Sequence, residues 1–325
     1  MTSRQLGPDA SRTVDSLCRV ADFALYSSKT SGRGRLTQYN QILEGQYFER
    51  RTLVESLPGA IARGELDLYL QPKVFLPGRE VYGFEALVRW VRDSNIVRTE
   101  ELIRIAEESG RIFELDKYVL DVAAREIAYY NRVNGTGVSV SVNLSALHFN
   151  TRRIVGWVDR ALEVSGLLPH LLTLEITESA ELRDWEQAQF IMGELRALGS
   201  RISIDDFGTG YSSLSYLRSA IVDEVKIDRT IIEQIATSDE ARFLLDGVLD
   251  IAGNLGLGVV VEGVATPEQA RILTEMGADR AQGYLFGKPM LLRDAIEALD
   301  GTVVRRDEPT GGPLAKAVRK RRDLG

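Results

Sequence analysis

Short apolar runs recur at regular intervals between residues 65 and 290, and this repetition restricts the fold more than any other feature of the sequence. Eight runs rich in β-branched or aliphatic residues occupy residues 68–70, 81–87, 138–142, 172–176, 202–204, 222–227, 258–261 and 281–286. N-cap patterns at Asp184 and Thr266 indicate helix starts between the runs. Glycines that follow helix-like segments indicate helix ends at Gly110, Gly199 and Gly277. Strands and helices therefore alternate along this part of the chain.

The alternation predicts an α/β fold, which is either a TIM-type (β/α)8 barrel or a doubly wound open sheet. Polar side chains at the ends of the runs distinguish these two architectures. They are Glu85, Asn143, Glu175, Asp205, Asp206, Lys226, Asp228, Glu262 and Gln282. A barrel brings the carboxyl ends of all its parallel strands to one mouth, whereas an open sheet distributes them along an edge. Because burial of apolar strands does not explain so many polar ends, we expect a barrel in which they converge.

Composition and charge exclude several classes of protein. Of the 325 residues, 44% are hydrophobic, which is enough for a large core. No apolar run reaches the roughly 18 residues of a membrane-spanning helix. Cys18 is the single cysteine, so internal disulfides are impossible and a cytoplasmic location is expected. The net charge of -7 disfavours binding to long nucleic acid, although residues 319–322 are basic.

The converging carboxylates predict a bound cation. Carboxylates crowded at one mouth, including the adjacent Asp205 and Asp206, would repel one another strongly. The chain has two histidines, His148 and His170, which are interpreted as ordinary loop residues. Oxygen ligands without a Cys or His cluster indicate Mg2+ or Mn2+. Two adjacent aspartates suggest two ions, which is the arrangement of two-metal phosphodiester hydrolysis.

Each of these residues also has a purely structural interpretation. Asp205 and Asp206 precede a Gly-Thr-Gly loop and could serve as turn formers or helix caps. Lys226 could be a salt-bridge partner instead of a group that holds a water molecule or a phosphate oxygen. Glu85 is harder to explain in this way, because it lies in an apolar run with apolar neighbours on both sides.

The segment Glu85-Ala86-Leu87-Val88-Arg89 resembles the signature motif of the EAL family, the phosphodiesterases of the bacterial second messenger cyclic di-GMP. Other segments resemble the family's remaining motifs in order: Gln71-Pro72-Lys73, Val142-Asn143-Leu144-Ser145, Glu175-Ile176-Thr177-Glu178, Asp205 to Leu214, Lys226-Ile227-Asp228, Val261-Glu262-Gly263-Val264 and Gln282-Gly283-Tyr284. The resemblance covers about residues 50–300. It implies a barrel whose first strand is antiparallel to the others, and hydrolysis of cyclic di-GMP to linear 5'-pGpG.

The resemblance also implies roles for individual residues. The first metal ion, Mg2+ or Mn2+, would be held by Glu85, Asn143, Glu175 and Asp205, and the second by Asp205 and Asp206. Catalytic support would come from Glu85 as a metal ligand, from Lys226 beside the attacking water, and from Glu262 and Asp228 near the second ion. The substrate would contact Arg89, Gln71, Gln282 and Asp228. Glu178 would pin the loop at 207–215, which in this family couples metal occupancy to homodimer contacts.

One motif departs from the family pattern, because Ala265 stands where a glutamate often follows Glu-Gly-Val. We expect activity to survive this change. A receptor that binds cyclic di-GMP without cutting it is the alternative function, and a scaffold that binds no nucleotide is a weaker one. Non-catalytic members usually lose metal ligands or loop residues, which this chain retains.

The sequence predicts three regions. Residues 46–300 form the EAL barrel, residues 301–325 form a disordered basic tail, and residues 1–45 form an N-terminal segment. Part of this segment, residues 15–35, resembles the end of a GGDEF diguanylate cyclase domain, although the chain contains no Gly-Gly-Asp-Glu-Phe string. Residues 39–62 are predicted to form a helix that leads into the barrel.

Overall fold

The computed structural model describes residues 41–298 with gaps at 77, 93–94, 178–183 and 209–220, together with residues 18, 21, 24, 25, 28 and 38. The predicted basic tail lies outside these residues, and so does most of the GGDEF-like segment, so both stay predictions. Contacts within the chain divide it into two compact units. One comprises residues 1–64 and 100–111, and the other comprises residues 65–99 and 112–325.

The smaller unit contains helix α1 (Gln41–Arg63) and most of helix α2 (Thr99–Glu108). Helix α1 confirms the helix that the sequence predicts before the barrel. Its buried Arg50 joins the two helices, because the guanidinium nitrogens lie 2.8 Å from a carboxylate oxygen of Glu101 and 2.7 Å from one of Glu108. Pairing with two carboxylates compensates the charge that Arg50 carries into the interior.

Eight strands of the larger unit close into a barrel, which confirms the predicted TIM-type fold. The strands of this sheet are β1 (Leu66–Phe75), β2 (Val81–Arg92), β3 (Asn95–Val97), β4 (Ser139–Asn143), β5 (Leu172–Thr177), β6 (Arg201–Phe207), β7 (Glu224–Ile227), β8 (Gly258–Val261), β9 (Arg280–Gln282) and β10 (Met290–Leu291). The closed order is β1, β2, β4, β5, β6, β7, β8 and β9, while β3 and β10 pair outside the ring. Strand β1 is antiparallel to both of its ring neighbours, as the family resemblance implies, and the other ring pairs are parallel.

Helices follow most of the parallel strands. They are α3 (Ile112–Asn134), α4 (Arg153–Ser165), α5 (Trp185–Ala197), α6 (Arg229–Ile232), α7 (Asp239–Leu255), α8 (Pro267–Glu275) and α9 (Leu292–Ala298). The predicted helix starts are confirmed, since Asp184 accepts from the backbone of α5 and Thr266 forms a capping box on α8. Gly110, Gly199 and Gly277 all have positive φ, as expected of glycines at helix ends. Within the described part of the chain, no helix combines the length and the apolar character that a membrane span requires.

The four residues of β7 illustrate how each barrel strand serves two surfaces. All four are buried. Val225 and Ile227 belong to the apolar core between the barrel wall and the helices, which also contains Leu249 of α7. Because side chains alternate in direction along a strand, Glu224 and Lys226 face the interior of the barrel instead. The barrel is therefore apolar on its outer face and charged inside.

The eighth run differs from the strand expected over residues 281–286, because β9 ends at Gln282. The chain then turns, and the backbone N–H of Leu285 donates to the carbonyl of Val264 at 3.0 Å. Gly283 passes so close to Val264 that a Cβ at this position would lie 2.1 Å from its carbonyl oxygen. The turn that replaces the expected end of the strand thus requires a glycine.

We expect Gly283→Ala to destabilise the barrel by about 2–4 kcal/mol, because the added methyl group would collide with the backbone of Val264. Urea denaturation followed by circular dichroism measures this free energy of unfolding. Gly193→Ala is the matched control, since exposed Gly193 lies in α5 with open space around it and alanine should stabilise by about 0.5–1 kcal/mol. Equal stabilities of the two variants would contradict the close approach at Gly283.

Candidate metal centre

The carboxyl ends of the parallel strands converge at one mouth of the barrel. The register places Asn143 directly beside Glu175, and it places Thr177 beside Asp205. The side chains that contact one another there are Glu85, Asn143, Glu175, Asp205, Lys226, Glu262 and Gln282. Residues that are far apart in sequence thus form one connected cluster.

Lys226 lies at the centre of this cluster and is 1% exposed. Its Nζ is 2.8 Å from Glu175 Oε2, 3.0 Å from Asp205 Oδ1 and 2.7 Å from Glu262 Oε1. A fourth carboxylate, that of Glu85, lies 3.5 Å away. Burial by itself would lower the pKa of Lys226, but these carboxylates outweigh it and raise the pKa well above its usual range. The side chain therefore remains an ammonium group.

Glu85 is held at both of its oxygens. Asn143 Nδ2 donates to Oε1 at 2.7 Å, and Gln282 Nε2 donates to Oε2 at 2.6 Å. Gln282 Nε2 also donates to Gln71 Oε1 at 3.1 Å. Burial opposes ionisation of Glu85, but Lys226 and the two amide donors lower its pKa below the usual value. Glu85 is consequently a carboxylate of fixed orientation.

Asp205 belongs to two sets of carboxylates that could each hold a cation. One set consists of Glu85, Glu175 and Asp205, and the other of Asp205, Asp206 and Glu262. Within each set, one oxygen from every member lies within 4.8 Å of the others. Two cation sites that share Asp205 would therefore be adjacent.

Asp206 reaches its place through an unusual backbone conformation. Its φ is 56°, and the pairing of β6 with β7 is irregular between Ile204 and Phe207. The backbone N–H of Asp206 donates to Asp205 Oδ1 at 2.9 Å. A left-handed conformation costs a non-glycine residue about 1–3 kcal/mol, although aspartate tolerates it better than most. Through this bulge, two consecutive carboxylates contribute to the same side of the barrel mouth, which a regular strand does not allow.

The electrostatics of the cluster fit a divalent cation. Four of its five carboxylates lie within 3.5 Å of Lys226, and Glu175 Oε1 has no hydrogen-bond partner among the described residues. Burial raises the pKa of Glu175 to about 7 and that of Glu262 to about 8, although Lys226 opposes this. Burial and the charge of Asp205 also raise the pKa of Asp206. Hard ions such as Mg2+ and Mn2+ prefer oxygen ligands, and they would supply the positive charge that this donor set lacks.

Two of the predicted substrate-binding residues make other contacts in the structure. Arg89 Nη1 donates to Thr99 Oγ1 at 2.9 Å. Asp228 caps α6, since its Oδ1 accepts from the backbone N–H of Thr230 at 2.9 Å. Its charge nevertheless contributes to the raised pKa of Asp206.

The predicted contact between Glu178 and the loop at 207–215 falls on residues that the structure mostly does not describe. Glu178 and residues 209–215 lie outside the described part, so this contact stays a prediction. At the departure from the family pattern, the backbone N–H of Ala265 donates to Gln269 Oε1 at 2.9 Å. Gln269 is the residue that completes the capping box of α8.

Sequence reasoning missed three charged side chains inside the barrel, those of Lys73, Glu224 and Arg280. Each stands two positions from a predicted site residue, which is Gln71, Lys226 or Gln282 respectively. Because side chains two positions apart on a strand point to the same side, each pair faces the barrel interior. The period of two was the signal that could have identified them.

His148 is not the ordinary loop residue that the sequence suggests. It lies in the 3-10 turn Ala146–Asn150, is 1% exposed, and its Nε2 lies 2.8 Å from Asp116 Oδ2. The same oxygen accepts from the backbone N–H of Ser145 at 3.0 Å. Asp116 of α3 thereby fixes the chain two residues after Asn143. This correction comes from a contact between residues 32 positions apart, which no local pattern reveals.

The sequence profile of the EAL domain matches residues 54–289. The chain belongs to the EAL-domain family. It is 36% identical over 286 residues to the bifunctional diguanylate cyclase/cyclic di-GMP phosphodiesterase MucR of Pseudomonas aeruginosa, which covers 88% of this chain. It is 35% identical over 295 residues to the cyclic di-GMP phosphodiesterase NbdA of the same species, which covers 90%. The chain spans 42% of the length of MucR and 38% of that of NbdA.

Solved structures of EAL proteins have the same fold as this EAL chain. The structure of PaMucR phosphodiesterase in complex with c-di-GMP superposes with a TM-score of 0.71 at 37% identity, covering 75% of this chain and 99% of that one. The EAL domain of Mycobacterium smegmatis DcpA superposes with a TM-score of 0.63 at 33% identity, covering 74% and 99% respectively. Sequence and structure thus both support membership of the EAL family.

In the presence of EDTA, we expect Asp205→Asn to be as stable as the wild type or about 1 kcal/mol more stable. The variant loses one charge from a crowded set, while Lys226 keeps Glu175 and Glu262 as partners. Saturating Mn2+ should stabilise the wild type by about 3 kcal/mol but have little effect on the variant. Differential scanning calorimetry with EDTA or MnCl2 measures both effects.

The exposed Asp159→Asn substitution on α4 is the control, and it should respond to Mn2+ as the wild type does. An Asp205→Asn variant that Mn2+ stabilises fully would show that this carboxylate does not hold a cation.

Proposed function

We propose that this chain hydrolyses one phosphodiester bond of cyclic di-GMP to give linear 5'-pGpG, with the aid of two divalent cations. The observation that carries the proposal is the position of Asp205 in two adjacent carboxylate sets at the barrel mouth. Membership of the EAL family and the phosphodiesterase names of MucR and NbdA support the substrate and the reaction.

The cations would be held by residues that the structure brings together. Glu85, Asn143, Glu175 and Asp205 would hold the first, and Asp205 with Asp206 would hold the second, with Glu262 close by. Mg2+ or Mn2+ would supply the positive charge that activates a water molecule for attack on phosphorus and stabilises charge in the transition state. The arrangement supports a two-cation site because the carboxylate that the sets share could bridge both ions.

Lys226 would position the attacking water or a phosphate oxygen. Its raised pKa keeps it protonated, so it donates hydrogen bonds and does not remove a proton from water. Glu262 holds Nζ of Lys226 at 2.7 Å and would fix the direction in which it donates. Water would add to phosphorus while the bond from phosphorus to the 3'-oxygen of one guanosine breaks. The water loses a proton, and the departing 3'-oxygen gains one.

The remaining predicted residues would bind the substrate around this centre. Arg89 would contact a phosphate, which requires its guanidinium to give up or share the hydrogen bond to Thr99. Gln71 and Gln282 already form a hydrogen-bonded pair at the barrel mouth and would line the substrate site with Asp228. Glu178 would steady the loop that follows β6.

We expect Glu85→Gln to reduce turnover of cyclic di-GMP by at least about a hundredfold, because it removes one ligand charge while keeping the size of the side chain. Purified protein is incubated with cyclic di-GMP and Mg2+ or Mn2+, and pGpG is measured by liquid chromatography. Glu163→Gln, an exposed change on α4, should leave turnover unchanged.

Wild-type turnover by the Glu85→Gln variant would refute the assigned site. Wild-type protein that binds cyclic di-GMP but yields no pGpG at any concentration of either metal would instead identify a receptor. Binding would be measured by isothermal titration calorimetry, so that loss of catalysis and loss of binding are distinguished.

We propose a second copy of this chain as the partner of the exposed face of α7. Phe243, Leu244, Ile251 and Leu255 form an apolar stripe along this helix, and Phe243 is 78% exposed. Gly247 lies at the centre of the stripe with open space above it, so another helix can approach closely. An antiparallel pair of α7 helices crossing at Gly247 would place Phe243 of each copy against Ile251 of the other, which is the self-complementarity that two-fold symmetry requires.

We expect Phe243→Glu to convert a dimer into a monomer, because it introduces two charges, one from each copy, into a two-fold apolar interface. Sedimentation velocity measures the mass in solution. Tyr129→Glu changes another exposed aromatic residue, on α3, and should leave the mass unchanged. A wild-type monomer at micromolar concentration would refute this interface.

The proposal also concerns the bounds of the phosphodiesterase domain and the cellular compartment of the protein. Residues 46–300 would form the phosphodiesterase domain, and the profile match at 54–289 lies within that range. The lone, exposed Cys18 supports a reducing compartment such as the cytoplasm.

A further inference from the structure

A second group of charges lies inside the barrel, one inward-facing residue deeper than the candidate metal centre. It consists of Lys73, Glu224 and Arg280, which we call the lower charge tier. Lys73 is 1% exposed and Glu224 is 4% exposed. The proposed reaction uses none of these side chains. Burying a charged group costs free energy unless partners of opposite charge compensate it, so their presence calls for an explanation.

Lys73 is the member of the lower charge tier that also approaches the metal centre. Its Nζ is 3.6 Å from Glu224 Oε1 and 3.6 Å from Glu175 Oε1. It also donates a hydrogen bond to Ser141 Oγ. Neither of the two carboxylate oxygens has a hydrogen-bond partner among the residues that the structure describes. Lys73 is thus attracted by both carboxylates and completes a direct hydrogen bond with neither.

Arg280 anchors Glu224 through the carboxylate oxygen that is not the one near Lys73. Glu224 Oε2 accepts from Arg280 Nη1 at 3.0 Å. The guanidinium of Arg280 lies over the rings of Tyr82 and Phe75, with its carbon 5.4 Å and 6.0 Å from the two ring centres. Packing against these rings restricts the movement of Arg280, so Glu224 remains where it can attract Lys73.

Glu175 is the group that this balance affects. Its Oε2 is already engaged by Lys226 at 2.8 Å, so Oε1 is the oxygen that remains for a cation. If Lys73 moved less than about 1 Å closer to Oε1, the two would form a charge-assisted hydrogen bond of about 2.8 Å. That bond would occupy the oxygen and place a full positive charge beside the cation site.

We propose that Glu224 is a positioning residue for the cation site, because it holds Lys73 away from Glu175 and so leaves Glu175 Oε1 available to a metal ion. The inference rests on the proposed function, since it concerns the same carboxylates. Glu224 itself touches neither the substrate nor the reacting atoms. It acts through Lys73, and the strength with which the site binds Mg2+ or Mn2+ depends on it.

The test is titration of the 325-residue chain with Mn2+ alone, in which electron paramagnetic resonance measures the free ion. Glu224→Gln removes the attraction on one side of Lys73, and it should weaken Mn2+ binding by at least about tenfold. The double variant Lys73→Met with Glu224→Gln removes the competing ammonium as well, and it should restore affinity to within about threefold of the wild type. Glu233→Gln, an exposed change after α6, is the matched control and should bind as the wild type does.

Rescue by the second substitution separates positioning from damage to the fold. If both variants bind Mn2+ equally weakly, or if Glu224→Gln binds like the wild type, the inference is overturned. If Glu224→Gln does not fold, as judged by circular dichroism, Glu224→Asp takes its place. The shorter carboxylate keeps the charge but draws back from Lys73, and affinity should fall by about threefold or more, while unchanged affinity would overturn the inference.

The same titration distinguishes this inference from the proposed function. Wild-type protein that binds no Mn2+ would overturn both. Wild-type protein that binds Mn2+ and cleaves cyclic di-GMP, alongside a Glu224→Gln variant of unchanged affinity, would overturn the role of Glu224 alone.

Discussion

The mutual repulsion of five carboxylates at the mouth of the barrel is the constraint on which the rest of this structure depends. One ammonium group, that of Lys226, meets four of them within 3.5 Å. A single positive charge does not balance such a set, and burial together with repulsion from the neighbouring carboxylates raises the pKa of Glu175 and of Glu262. Binding of divalent cations is the chemistry that relieves this imbalance, and it is also the chemistry that phosphodiester cleavage requires.

The barrel holds these carboxylates close together because apolar packing between its outer face and the helices stabilises the fold and offsets their repulsion. Residues such as Val225 and Ile227 pack against the surrounding helices while their neighbours in the strand point inward as charges. The backbone is also strained at the barrel mouth, because Asp206 has a left-handed conformation beside an irregularity in strand pairing. The scaffold therefore supplies the free energy that the site costs, as is common for functional sites in otherwise regular folds.

Charge inside the barrel is arranged in two levels that interact. The upper level contains the carboxylates and Lys226, and the lower charge tier provides Lys73 with an alternative partner in Glu224. Long-range contacts also hold the loops around the site, as when Asp116 binds the backbone after Asn143. The orientation of the proposed cation ligands thus depends on side chains outside the barrel mouth, in keeping with the general role of outer-sphere groups at metal centres.

The alternation of apolar runs, the polar strand ends and the family motifs were enough to predict the barrel, its antiparallel first strand and the residues that meet at its mouth. The barrel and the convergence at its mouth follow from local patterns, because a strand's period and its terminal residue are properties of short segments. The antiparallel first strand was implied only by the resemblance to the EAL family. The sequence did not reveal Glu224 as a partner of Lys73, the buried pair of His148 with Asp116, or the turn at Gly283 that ends β9 early. Each of these depends on groups that only barrel closure brings within a few ångströms of one another, and distances of that kind are decided by the tertiary structure.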